Sequence, residues 1–330
     1  MSSRAVNVGL HVTEAVAALF LVVLIGVILK RRGIIKDEHS DVFAKIVTQA
    51  ILPLFIFRQL STYPVTGGNF LLPLIMVSTS FASLALAWLA GKVLRLDQAT
   101  IGAVMIASSF DSTALIGYPL IQYVFPHNPT ALTDAILLSE LGVGLPIFTI
   151  CPIVAMHFGG DPQSGTGTRR RIFIQYLKSP VFASVVLGLL VSMIRFQGHI
   201  PVHGVYATTF YEALSMVDGG LILFACLIVA IQLNFDALKS IRTILPLVAV
   251  CMGITMVAAP WLAYVQATLL GLSPMEVQII VLISSLPSAM LGPVFATRFK
   301  CRGDIVAAMA VISMMISVLV VPLTFNLLHL

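Results

Sequence analysis

The chain has 330 residues, of which 58% are hydrophobic and only 10% charged, with a mean hydropathy of +1.02 and a formal net charge of +5. Soluble domains are about a quarter charged, so this composition excludes a soluble globular protein and describes a chain that crosses a bilayer repeatedly. Cys151, Cys226, Cys251 and Cys301 show no paired spacing, and no two of the seven histidines have metal-ligand spacing. A disulfide framework and a zinc centre are therefore not expected.

Apolar runs of about 20 residues are read as membrane spans. Ten occur, at 12–30, 42–60, 68–91, 98–125, 130–156, 179–195, 211–234, 243–267, 275–297 and 303–328. The first is too long for a signal-peptide core and is expected to be retained. With the N-terminus placed outside, the inner connections collect Lys30, Arg31, Arg32, Lys36 and Lys45, then Lys92 and Arg95, then Arg169 to Arg171 with Lys178. Lys239, Arg242, Arg298, Lys300 and Arg302 follow, and only Arg4, Arg58 and Arg195 fall on the outer side. This bias sets orientation, so the positive charge is a topology signal and nucleic acid is not expected as a partner.

The long hydrophilic stretch "HFGGDPQSGTGTRRRIFIQYLKSP" is rich in Gly, Ser, Thr and Pro and reads as a flexible cytoplasmic linker over 158–179. It separates two halves of five spans, 1–157 and 180–330. An odd number of spans per half inverts the second half in the membrane, the arithmetic of an inverted-repeat transporter. The fourth span carries "SSFDSTALIGYPL" and the ninth "SSLPSAMLGPV". Both have a Ser-Ser pair, a small polar cluster, and a Gly followed by Pro. Paired Gly/Pro interruptions mark the binding region of such transporters. The breaks are expected at Gly117–Pro119 and at Pro287 and Gly292–Pro293; two ordinary proline kinks are the simpler alternative.

Acids inside spans are costly and point to function. Asp111, beside Ser108, Ser109, Ser112 and Thr113, is the first candidate for a coupling H⁺ or Na⁺. Asp218, before Gly219-Gly220, and Glu140, deep in the fifth span, are the others; each could equally be a structural partner for a neighbour. No Lys or Arg is expected at mid-membrane to neutralise them. An anionic substrate would then rely on half-helix N-termini near Gly117–Pro119 and Gly292–Pro293, with Ser112, Thr113, Ser285, Pro287 and Ser288 around it. Small serines also serve helix packing. Phe110, Tyr118 and Tyr123 could line a wider pocket or pack structurally.

Several stretches in order resemble one family. "LFLVVLIGVILKRRGIIKDEHSDVFAKIVTQAILPLFIF", "IGYPL", "MVDGGLILFACLIV" and "LPSAMLGPVFATRFKCRGDI" are similar to the auxin efflux carrier (AEC) family, which includes plant PIN-like auxin carriers and bacterial malonate-type permeases. The resemblance implies an all-α polytopic fold of ten spans, two inverted five-helix repeats with broken, crossing helices four and nine, like NhaA and the bile-acid symporters. It also implies a scaffold of spans one, two, six and seven, forming a homodimer. Where the family has Asn seven residues before the fourth-span Pro, this chain has Ser112, with Asp111 beside it. The expected activity is secondary transport of a small carboxylate, malonate ranked first and indole-acetic acid second. A sensor that binds without transport is the reading of another class. No enzyme chemistry is expected, because no nucleophile–base constellation lies in the spans. Short loops without a targeting extension point to a bacterial inner membrane, with both termini outside.

Overall fold

The computed structural model describes residues 2–160, 166–196, 205–233 and 241–328. Residues 161–165 of the expected linker, Lys239, and the last residue of the seventh expected span lie outside the described residues.

Every named element is helical. Helix α1 (Ser2–Arg31) is followed by α2 (His39–Ile46), α3 (Leu52–Thr62), α4 (Leu71–Val93), α5 (Gln98–Ser109), α6 (Tyr118–Val124), α7 (Pro129–Ser139) and α8 (Leu145–Gly159). Then come α9 (Thr166–Leu177), α10 (Pro180–Phe196), α11 (Val205–Gln232), α12 (Ile241–Gly253), α13 (Ala259–Leu269), α14 (Pro274–Ser284), α15 (Gly292–Arg298) and α16 (Gly303–Leu327). Seven helical segments among the described residues are long and apolar enough to cross a bilayer. The fourth, sixth and ninth expected spans are not among them: the fourth and ninth are each interrupted into two short helices, and α10 of the sixth passes only together with α9, from which it is bent by 52°.

Three pairs of helices are joined end to end by one wide, π-helical turn, Val47–Ile51, Glu140–Gly144 and Ile254–Ala258, and a fourth such turn, Thr113–Gly117, leads into α6. All four stand immediately before an X-Pro pair: Leu52-Pro53, Tyr118-Pro119, Leu145-Pro146 and Ala259-Pro260. The cause is local. Proline has no N–H, and its ring collides with the carbonyl four residues back, so the preceding turn widens and the helix continues. The carbonyl opposite Pro260 belongs to Met256, and it accepts the Thr324 hydroxyl at 2.9 Å. A proline in these spans therefore bulges a helix without ending it.

Helices α1, α3, α10 and α11 pack on one another. Small residues let the backbones approach, as in other membrane bundles. A Cβ on Gly26 of α1 would stand 2.6 Å from Ala230 Cβ of α11, and one on Gly188 of α10 would stand 2.9 Å from Leu60 Cβ of α3. On the other side, α4 packs on α5 and α13, α5 on α8, α13 on α14, and α15 on α16. Lys30 caps the carbonyl end of α11 by donating to Leu233 O at 3.3 Å, and pairs with Asp37 at 2.8 Å.

The connection read as a flexible linker contains a helix. Within α9, Ile172 and Tyr176 are buried, and the Tyr176 ring stacks on Phe148 of α8 at 4.6 Å between centroids. Its composition is loop-like at the Gly/Ser end only; the "RRRIFIQYL" end brings an aromatic and an apolar anchor one helical turn apart.

Candidate functional site

The two interrupted spans meet at their interruptions. Helix α5 starts on Asp97, whose carboxylate accepts Thr100 N–H at 3.1 Å; the Thr100 side chain, helped by this N–H, holds the Asp97 carboxyl below the usual range. Helix α14 starts on a capping box in which Ser273 and Glu276 exchange hydrogen bonds. These two caps stand the same number of residues ahead of Ser108-Ser109 and of Ser284-Ser285. Past those serine pairs each helix stops, and the chain runs extended before turning helical again.

The extended pieces pair with each other. Asp111 and Ser288 form an antiparallel bridge. Ser112 N–H donates to Pro287 O at 2.8 Å, and Ala289 N–H donates to Phe110 O at 2.7 Å. Because these two bonds flank the Asp111/Ser288 pair, it is the non-hydrogen-bonded kind, in which the side chains stand closest, on one face. The approach is reciprocal. A Cβ on Gly117, past the first break, would lie 2.8 Å from Ile283 Cδ1 of α14, and one on Gly292, past the second, 3.0 Å from Ile106 Cγ2 of α5.

The second break lies where Pro287 leads one to expect it, and α15 begins on Gly292 with Pro293 inside its first turn. The first break is displaced from expectation. It falls at Phe110–Ser112, while Gly117 and Pro119 sit in continuous helix after the wide turn Thr113–Gly117. Pro119 is absorbed by that turn, and the signal for the break is the polar cluster ahead of it.

The expected site residues divide. Asp111, Ser112, Pro287 and Ser288 are brought together and buried at the crossing. Thr113 is close by, but its hydroxyl is engaged with Ser139 Oγ at 2.5 Å. Ser285 spends its hydroxyl on Leu282 O at 2.8 Å. Glu140, in the wide turn of its own helix pair, accepts the Tyr118 hydroxyl at 2.6 Å, and Tyr176 donates to the Glu140 carbonyl at 3.1 Å. Tyr118 is thus a buried structural partner and packs on Phe55, while Tyr123 is exposed.

Asp218 is not left without a cation. Arg58 of α3 donates to it at 2.5 Å across 160 residues of sequence. The outer-side reading of Arg58 overlooked this, because only helix packing brings α3 against α11. Both side chains are less than a third exposed. Arg58→Met leaves the Asp218 carboxylate stranded and is expected to cost about 2–3 kcal/mol, somewhat less than a fully buried pair. Adding Asp218→Asn should restore most of that loss, read as thermal midpoints of the four proteins in detergent.

A cavity of about 70 Å³ adjoins the crossing, lined by Leu115, Ile116, Leu286, Cys226, Met314 and Ser317 among others, and is almost wholly apolar. At its edge the Ala114 and Leu115 N–H groups, second and third in the wide turn, make no backbone hydrogen bond among the described residues. The sequence reading did not anticipate this wall, since it is assembled from α1, α6, α11 and α16 as well as the second break.

Helical spans, two of them broken and paired at their breaks, define a polytopic membrane protein of the transporter class. The comparisons agree: a family model described as "Membrane transport protein" matches residues 11–163 and 168–325. The chain belongs to that family, the auxin efflux carrier family that its sequence resembles. It is similar to an uncharacterized transporter of Methanothermobacter thermautotrophicus, 25% identical over 94% of this chain and 96% of the relative. A second uncharacterized transporter, from Methanocaldococcus jannaschii, is 23% identical over the same shares.

Proposed function

We propose that the protein is a secondary transporter moving small organic acid anions across the cytoplasmic membrane by alternating access. The observation that carries this reading is the antiparallel bridge between Asp111 and Ser288, which places irregular backbone from two separate spans in one protein-lined spot. Non-helical backbone at membrane depth is tolerated only where protein or a cavity surrounds it, and discontinuous helices form the substrate sites of such transporters. In this reading the ten helical segments form two inverted repeats of five, 1–157 and 180–330, joined through 158–179. Both termini face outward, and α1, α3, α10 and α11 serve as a scaffold and homodimer face.

The substrate carboxylate is assigned to the free N–H groups of Ala114 and Leu115, and its body to the adjoining apolar cavity. Size and lining rank the candidates. An engineered cavity of about 150 Å³ just holds benzene, so a cavity of about 70 Å³ favours a small acid over indole-acetic acid. A second carboxylate pressed against that apolar wall would lose its hydration without a partner. A short aliphatic acid is thereby ranked ahead of malonate. Asp111 would repel any anion unless a cation, H⁺ or Na⁺, neutralised it.

The experiment is uptake of radiolabelled propionate, malonate and indole-acetate into proteoliposomes under imposed pH or Na⁺ gradients. Saturable uptake of a small acid, weakened at least tenfold by Leu115→Trp, is the expected result. Clean binding without flux would replace transport by the sensor reading, and selective uptake of indole-acetate would overturn the size argument.

A further inference from the structure

Around the crossing, the backbone hydrogen bonds have been redirected in a way that strands oxygen atoms. In an uninterrupted helix Ser112 N–H would bond Ser108 O, and Thr113 N–H would bond Ser109 O. Here the first goes to Pro287 O at 2.8 Å and the second to Asp111 O at 3.0 Å. The second break repeats this. Ser288 N–H goes to Ser313 Oγ at 3.3 Å, and Ala289 N–H to Phe110 O at 2.7 Å, so Ser284 O and Ser285 O lose their helical donors too. The stranded carbonyls stand at the C-terminal ends of α5 and α14, where the helix dipoles are negative.

Side chains add to the same surplus. The hydroxyls of Ser108, Ser109 and Ser288 are buried and, among the described residues, have no hydrogen-bond partner. The Asp111 carboxyl is more than nine-tenths buried, and among the described residues no hydrogen bond or opposite charge meets it. In a non-hydrogen-bonded antiparallel pair the Cβ atoms are about 4.5–5.5 Å apart, so Ser288 Oγ and the Asp111 carboxyl share one face within reach of a single ion. The neighbouring thiol, Cys251 Sγ, is directed to Ala107 O at 3.4 Å.

This is the chemistry of a hard, singly charged cation. Hydroxyl, carbonyl and carboxylate oxygens suit hard ions, and unwound carbonyls with half-helix C-termini hold Na⁺ in broken-helix transporters. One carboxylate balances one charge. Among the described residues no cluster of three or more His, Cys, Asp or Glu offers a divalent or soft metal a home.

We infer that the crossing holds a sodium site whose ligands come from the Asp111 carboxylate, the Ser288, Ser108 and Ser109 hydroxyls, and the stranded carbonyls at the ends of α5 and α14. Its coupling role rests on the transport reading, because Na⁺ on Asp111 lets an anion approach Ala114 and Leu115 without repulsion. The ion itself is testable without transport.

The full-length protein in detergent is heated while NaCl replaces choline chloride at constant ionic strength, with KCl as a second series and pH varied separately. Binding to the folded state raises the midpoint, so Na⁺ is expected to raise it by several degrees and K⁺ not to. Ser288→Ala should shift the half-maximal Na⁺ concentration upward by roughly tenfold, and Asp111→Asn should abolish the shift. Equal effects of Na⁺ and K⁺, a Na⁺ effect that survives Asp111→Asn, or stabilisation by acid alone would overturn the site. Should Asp111→Asn fail to fold, the Ser288→Ala titration decides by itself. Sodium binding without flux in the uptake assay would leave the site standing and remove the transport reading; flux indifferent to Na⁺ would leave transport standing and remove the coupling role of the site.

Discussion

Ser112→Pro is expected to unfasten the crossing while leaving each half-helix intact. Ser112 has φ −83°, close to the value that proline imposes, and the preceding Asp111 is already extended, as a residue before proline prefers. The substitution therefore fits the backbone and removes one atom pair, the Ser112 N–H···O=C Pro287 bond of 2.8 Å. Pro287 O is left unpaired in a region with no bulk water to replace the donor. The expected cost is about 1–3 kcal/mol, seen as a lower thermal midpoint, together with at least a tenfold fall in uptake. Ser112→Ala keeps the N–H and serves as the control for the lost hydroxyl. Full uptake by Ser112→Pro would show that the bridge plays no part in transport.

Gly159→Ala should be as damaging through a different cause. A Cβ at Gly159 would stand 1.9 Å from the Phe299 carbonyl oxygen, 3.0 Å from its carbon and 3.1 Å from Cys301 N. All three are backbone atoms, so no rotamer change can relieve the overlap. The end of α8 and the turn after α15 must separate, at an expected cost of about 3 kcal/mol or more. Gly253→Ala, where nothing lies within 4 Å of the new methyl, should stay within about 0.5 kcal/mol of the parent. Equal midpoints for the two variants would mean that α15 is not packed on α8 in this way.

Much of the architecture was written locally. Hydropathy located the seven segments that are helices long and apolar enough to cross a bilayer, because burying apolar side chains in lipid is decided segment by segment. Pro287 marked where the ninth span stops, and the match between "SSFDSTALIGYPL" and "SSLPSAMLGPV" named the two segments that meet. Proline was the misleading sign. Pro119, like Pro53, Pro146 and Pro260, widens a turn and keeps the helix going, whereas the first break sits at Phe110–Ser112, ahead of the proline. A missing N–H can be accommodated inside a helix; a donor captured by a strand from another span cannot be seen from its own neighbours.

What only the tertiary structure decided is pairing between distant residues. Nothing near Asp218 announces Arg58, and nothing near Glu140 announces Tyr118 and Tyr176. Asp111 is the converse case, an acid that finds no partner among the described residues although serines and a threonine stand close by in sequence. By itself the sequence determined a membrane-spanning helical chain of the carrier type with two interrupted spans, since composition and periodicity act over one segment at a time. Which acids are neutralised, and which oxygens are left facing one another, depends on contacts between segments far apart in the chain, and those exist only once the helices have packed.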